Sequence, residues 1–146
     1  MKKVVYSLLI IATLAATLCV EPARAQSDHL LAVTVPFNFY VKDRVLPAGQ
    51  YTVALVRVAG ADALKIQSND GHLTALVPVR AASTGGKQDK PQLVFSRYED
   101  RYFLAQVSGL EERMAQQIRR SRIEEEVVKS ARAAERQKIA VAAHKR

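Results

Sequence analysis

Three arginines, Arg119, Arg120 and Arg122, are the residues whose type and spacing best suit a chemical task. An arginine side chain presents a planar fork of N–H donors that matches phosphate and carboxylate groups in a bidentate geometry. The cluster therefore predicts contact with an anionic surface, such as lipid phosphate, an acidic glycan or an acidic protein. The alternative interpretation is a solvated helix start, because runs of charge most often simply face water.

The other polar residues do not form a catalytic or metal-binding pattern. No Gly-x-Ser-x-Gly elbow places a serine between a strand and a helix. Three histidines have no second ligand at metal-binding spacing: His29, His72 and His144. His72 beside Asp70 fits turn chemistry better than a ligand pair. We expect a protein that is not an enzyme and that has no metal or other cofactor; a small hydrolase with two converging carboxylates is the remaining enzymatic alternative.

The first 25 residues have the layout of a secretory signal peptide. Lys2 and Lys3 precede an apolar run from Val4 to Val20, and Ala23-Arg24-Ala25 supplies small residues for cleavage after Ala25. An uncleaved anchor would need a longer apolar run. A lipid anchor at Cys19 would need a small residue before it, where this chain has leucine. We therefore expect a periplasmic or secreted protein with no membrane span after cleavage.

The charge balance narrows the class of partner. The chain has a formal net charge of +8. Removal of residues 1–25 would leave +6, of which residues 110–146 carry +4. A basic protein attracts polyanions, and salt weakens that attraction. In an exported protein the candidates are anionic envelope components or acidic proteins, and we expect no nucleic-acid partner.

Alternating apolar residues predict a β-domain over residues 26–109. In the clearest run every second residue is apolar: Leu31, Val33, Val35, Phe37, Phe39 and Val41. Pro36 lacks an N–H, so this run is either an edge strand or two short strands meeting at a bend. Turn signals follow at residues 42–44, 46–49, 69–71 and 99–101. The pattern predicts six or seven short strands in an antiparallel β-sandwich or a small barrel.

Residues 110–146 read as a charged helical C-terminal tail. Two capping boxes are present, Ser108 with Glu111 and Ser121 with Glu124, and the second is the more convincing. From Ser121 onward there is no proline or glycine, and alanine is abundant. We expect a helix from Ser121 onward, and the sequence leaves open whether residues 110–120 are helical or extended.

Two blocks resemble a known group of proteins. Residues 35–53, VPFNFYVKDRVLPAGQYTV, resemble the start of a group of small exported bacterial proteins common in acidobacteria, and residues 93–107, LVFSRYEDRYFLAQV, are similar to its second signature. Ile118-Arg119-Arg120-Ser121 is similar to a later Leu-Pro-Lys-Ser-like run of the group, with Arg119 where proline is common. The resemblance implies an exported β-domain, and it carries no assigned activity and no established site residues.

These observations together predict a non-enzymatic cell-envelope protein that acts by binding or by a structural role. The tail is the expected contact element, either with an envelope partner or with a second copy of the chain. The alternative is an electrostatic binder of anionic envelope components through the three arginines.

Overall fold

The computed structural model describes residues 30–83, 90–130 and 137–145. The predicted signal peptide, Cys19 and His29 lie outside these ranges. Within them the chain forms one helix, α1 (Arg122–Ser130), and ten strands: β1 (Leu30–Val35), β2 (Phe39–Val41), β3 (Arg44–Leu46), β4 (Gly49–Val58), β5 (Ala61–Ser68), β6 (Thr74–Ser83), β7 (Gln92–Tyr98), β8 (Arg101–Glu111), β9 (Met114–Ile118) and β10 (Gln137–Lys145).

Eight of these strands close into an antiparallel barrel in the order β8-β7-β10-β1-β4-β5-β6-β9, with β9 pairing back to β8. Of the two predicted architectures, the barrel is therefore right and the β-sandwich is wrong. The predicted number of strands, six or seven, is too low. The short β2–β3 hairpin joins the sheet through β2, which pairs in parallel with β8 at Tyr40 and Phe103. The guanidinium of Arg44 donates to the carbonyl oxygen of Thr74 at 3.2 Å, which holds β3 near the start of β6.

Apolar side chains fill the barrel interior, as expected for a ring of eight strands. The predicted alternation is confirmed in β1, where Leu31, Val33 and Val35 are each at most 4 % exposed. The chain bends at Pro36, so the predicted apolar run forms the two strands β1 and β2 rather than one. In the centre, the ring of Phe39 meets that of Phe95 edge-on, with centroids 5.4 Å apart.

The expected helical tail is mostly wrong. Among the described residues of the tail, only 122–130 are helical; residues 114–118 form β9 and residues 137–145 form β10. Gly109, the expected last residue of the β-domain, lies inside β8 with a φ of +90°. Ser108 and Glu111 both belong to β8, so the first predicted capping box is not one.

The strand state of β10 follows from its place in the barrel rather than from local preference. β10 lies between β1 and β7 and pairs with both. Val141 and Ala143 contact the core, and Ile139 lies opposite the buried Phe95 of β7, but alanines between them hide that period in the sequence. Tertiary pairing overrides helix propensity here because both neighbouring strands would otherwise have open edges.

Candidate functional site

The three predicted arginines lie where the barrel passes into α1. β9 ends at Ile118, Arg119 and Arg120 follow in an irregular segment, and Arg122 is the first residue of α1. All three side chains are exposed. The structure thus brings them together on one short stretch of surface, which we call the arginine–helix surface (residues 119–130).

Ser121 starts the helix as the sequence predicts. Its buried hydroxyl oxygen accepts a hydrogen bond from the backbone N–H of Glu124 at 3.1 Å. Its carbonyl oxygen accepts from the N–H of Glu125 at 3.0 Å. These bonds satisfy backbone donors that would otherwise have no partner in the first turn.

An aromatic cluster on the outer face of β7 and β8 holds α1 against the barrel. Val127, only 8 % exposed, packs with Tyr98 and Phe103. The ring of Phe103 stacks on that of Tyr40, with centroids 4.7 Å apart. The aromatic residues of the last hairpin therefore divide between two clusters, because Phe95 lies inside the barrel.

Glu124 connects this cluster to the arginines. Glu124 as a whole residue is only 5 % exposed. Its carboxylate accepts a hydrogen bond from the Tyr98 hydroxyl at 3.2 Å. The guanidinium of Arg120 lies 3.9 Å from the same oxygen. A buried carboxylate needs donors and counter-charge to offset its lost hydration. Arg120 therefore faces a carboxylate of this chain and is less available to an outside partner.

Arg119 and Arg122 differ from Arg120, since neither forms an ion pair with any other residue in the described ranges. The remaining exposed face of α1 carries Glu125, Glu126 and Lys129. Four basic and three acidic side chains thus share residues 119–130, which leaves one net positive charge. The surface can contact anions through the exposed guanidinium groups of Arg119 and Arg122, but the nearby carboxylates weaken the attraction.

A second surface, at one end of the barrel, was not singled out from the sequence. Two shallow depressions meet there and share Gln50, Tyr51 and Asn69; we call them the Gln50 groove. The described residues that line it are Ala32, Val33, Thr34, Pro47, Ala48, Gly49, Gln50, Tyr51, Thr52, Ser68, Asn69, Asp70, Leu73 and His144. Amide and hydroxyl groups dominate its polar chemistry. The alternation along β1 and β4 could have predicted that Thr34, Gln50 and Thr52 face outward. It could not have predicted that they line a common groove.

The one carboxylate in the groove belongs to a turn. Asp70 accepts hydrogen bonds from the Ser68 hydroxyl and from the backbone N–H of His72, the latter at 3.1 Å. These bonds lower the pKa of the Asp70 carboxyl, the Ser68 bond most. A carboxylate with a lowered pKa is a poor general base. The predicted turn role of Asp70 and His72 is confirmed.

Tyr51 contributes little free chemistry to the groove. Its hydroxyl donates to the carbonyl oxygen of Pro47 at 2.6 Å, which fastens the turn before β4. Burial raises the pKa of the Tyr51 phenol, and the nearby charge of Asp70 raises it further. In the described parts of the chain, no three histidine, cysteine or acidic side chains come close enough to hold a metal ion.

Comparisons of the chain with protein-family models, curated proteins and solved structures give no match. Within the described ranges, α1 is too short and too polar to cross a bilayer.

Proposed function

We propose that this protein is an exported, non-enzymatic module of the cell envelope that acts by binding or by a structural role, with the arginine–helix surface as its contact element. One observation carries most weight. The barrel interior is filled by core side chains, so a partner would meet the outside of the barrel. On that outside, the arginine–helix surface joins Arg119 and Arg122, which have no ion pair with a described residue, to a helix that packs on Tyr98 through Val127 and Glu124.

The proposed partner is an acidic envelope protein or a second copy of the chain. Fractionation of cells producing the full chain tests export and contact separately. The exported product should have the mass of a chain starting at Gln26, and it should sediment with the envelope. The double variant Arg119→Gln with Arg122→Gln should lower the sedimented fraction severalfold.

A matched control removes the same charge from a different surface. Lys65 and Arg113 are both exposed, and Lys65→Gln with Arg113→Gln should leave the sedimented fraction unchanged. Equal loss in both double variants would point to net charge rather than to this surface. An intact precursor in the cytosolic fraction would refute export itself.

A second candidate function is electrostatic binding of anionic lipid or glycan through the same surface. The exposure of Arg119 and Arg122, without ion pairs in the described ranges, favours it. Vesicles of phosphatidylglycerol and phosphatidylcholine should retain the protein at low salt and release it at high salt, whereas vesicles of phosphatidylcholine alone should not retain it. Retention that ignores both salt and the arginine variants would reject this candidate.

A further inference from the structure

β10 closes the barrel, and it pairs more extensively with β7 than with β1. Six residue pairs join it to β7, from Gln137 with Arg97 to Ala142 with Gln92. Among the described residues, three pairs join it to β1. A hydrogen bond from the N–H of Ala143 to the carbonyl oxygen of Pro91 adds a further contact beside β7, at 2.9 Å. The seam with β1 is therefore the weaker of the two.

β10 also contributes little to the core. Ala143 is its one buried residue among those whose side chains are described, and Ile139 and Val141 are half-buried. By contrast, the neighbouring strand β1 buries Leu31, Val33 and Val35. Loss of β10 would expose the edges of β1 and β7 and remove few large side chains from the interior.

The sequence of β10 favours a helix rather than a strand. Six of its nine residues are alanine, glutamine or lysine, which are poor strand formers and good helix formers. Its extended form therefore depends on the two strands beside it. A strand held mainly by backbone pairing between two open edges is the type of element that chains exchange or accept from a partner.

We propose that the slot between β1 and β7 is a strand-binding site, and that β10 of a second copy of this chain can occupy it. The fit of residues 137–145 in the slot supports this occupant, because small and medium apolar residues must alternate inward at positions 139, 141 and 143. α1 remains on its own barrel through Val127 and the Tyr98–Glu124 contact, so only β10 leaves. The site is independent of the arginine–helix surface.

Cross-strand disulfides between different chains test the exchange directly. Ala32 and His144 lie opposite each other on β1 and β10, within the Cα distances that a disulfide requires. Full-length Ala32→Cys and His144→Cys chains, each with Cys19→Ser, are mixed at high concentration, incubated and oxidised. We expect the mixed disulfide dimer to exceed each homodimer severalfold, and its yield to rise with concentration.

Thr52→Cys and Gln67→Cys chains are the matched control, since these residues lie opposite each other on β4 and β5. A two-residue turn joins β4 and β5, so these strands cannot exchange separately between chains. Random collision of the two cysteine chains should then give a mixed dimer only twice as abundant as each homodimer. A mixed dimer of Ala32→Cys and His144→Cys at that same ratio would overturn the proposal.

A peptide of residues 137–145 gives a second readout that does not depend on dimer formation. It should bind the full-length chain carrying both Ala32→Cys and His144→Cys when the disulfide is reduced. Oxidation, which staples β10 in place, should weaken binding at least tenfold. A staple between Thr52→Cys and Gln67→Cys should have no effect, and a peptide with Val141→Asp should bind at least tenfold more weakly. Equal binding to stapled and reduced protein, or no binding to either, would overturn the proposal.

Discussion

Replacement of Gly109 by alanine should destabilise the barrel through one identifiable contact. Gly109 has a φ of +90°, and a Cβ at this position would lie 2.5 Å from the Cα of Pro91 and 3.0 Å from its nitrogen. Pro91 immediately precedes β7 and accepts the hydrogen bond from Ala143 of β10. The backbone of Pro91 would have to move, and that movement would strain the attachment of the closing strand.

Gly60 separates the two parts of this cost. It has a φ of +82°, and a Cβ there would meet no atom within 4 Å. Gly60→Ala should therefore cost only the unfavourable backbone conformation, about 1–2 kcal/mol. Gly109→Ala should cost a similar amount plus about 1–3 kcal/mol for overpacking against fixed backbone. Stability for a small domain is about 5–15 kcal/mol, so both variants should still fold.

Urea unfolding followed by circular dichroism and tyrosine fluorescence measures the difference. With a urea dependence of about 1–3 kcal/mol per molar, the Gly109→Ala midpoint should fall about 1 M below that of Gly60→Ala at equal slope. Equal midpoints for the two variants would refute the reasoning, because they would mean that the chain near Pro91 yields without cost.

Three further outcomes are expected. Ser121→Ala should lower the free energy of unfolding by about 1 kcal/mol in urea titrations, since it removes the cap on the Glu124 N–H, and no change would show that the cap is dispensable. Asp70→Asn should be less stable than the parent protein near neutral pH. The carboxyl pKa of Asp70 is lowered by folding, so its ionised form stabilises the fold when the pH is above the ordinary pKa of 3.8, and this contribution is lost as the pH falls below 3.8. Thermal melts in which the difference between variant and parent persists at the lowest pH would contradict this. Gln116→Met should leave the melting temperature unchanged or raise it, because the Gln116 Oε1 is buried with no donor in the described ranges. A large fall in melting temperature would contradict this and would indicate that the hydrogen bond from Gln116 to Glu111 stabilises the fold more than the unpaired oxygen destabilises it.

Local sequence signals correctly predicted the β1 strand, two of the turns and the start of α1. The alternation in β1 needs only one buried face, and the turns at residues 42–43 and 99–100 contain Lys42 and Glu99 at positive φ, as the polar turn residues suggested. The cap of α1 was predictable because Ser121 and Glu124 are only three residues apart. Each of these features depends on neighbours in sequence.

The features that the sequence missed depend on remote partners. β10 is a strand because β1 and β7 need a partner, and its own composition favours a helix. β9 is a strand because it joins β6 to β8. In the site, the spacing of the arginines was visible, but the burial of Glu124, which Arg120 faces, depends on the packing of α1 on the barrel. The hydrogen bond from Tyr98 to that carboxylate spans 26 positions.

The pairing of β10 with β1 also sets the order of events when the ribosome makes this protein. The ring cannot close until residues 137–145 have been synthesised, because β1 and β7 have no other partner for the edges that β10 covers. The nascent chain must therefore wait with two strand edges unpaired, and such edges invite aggregation. Until residues 137–145 are made, the earlier strands form an open sheet that chaperones can still bind.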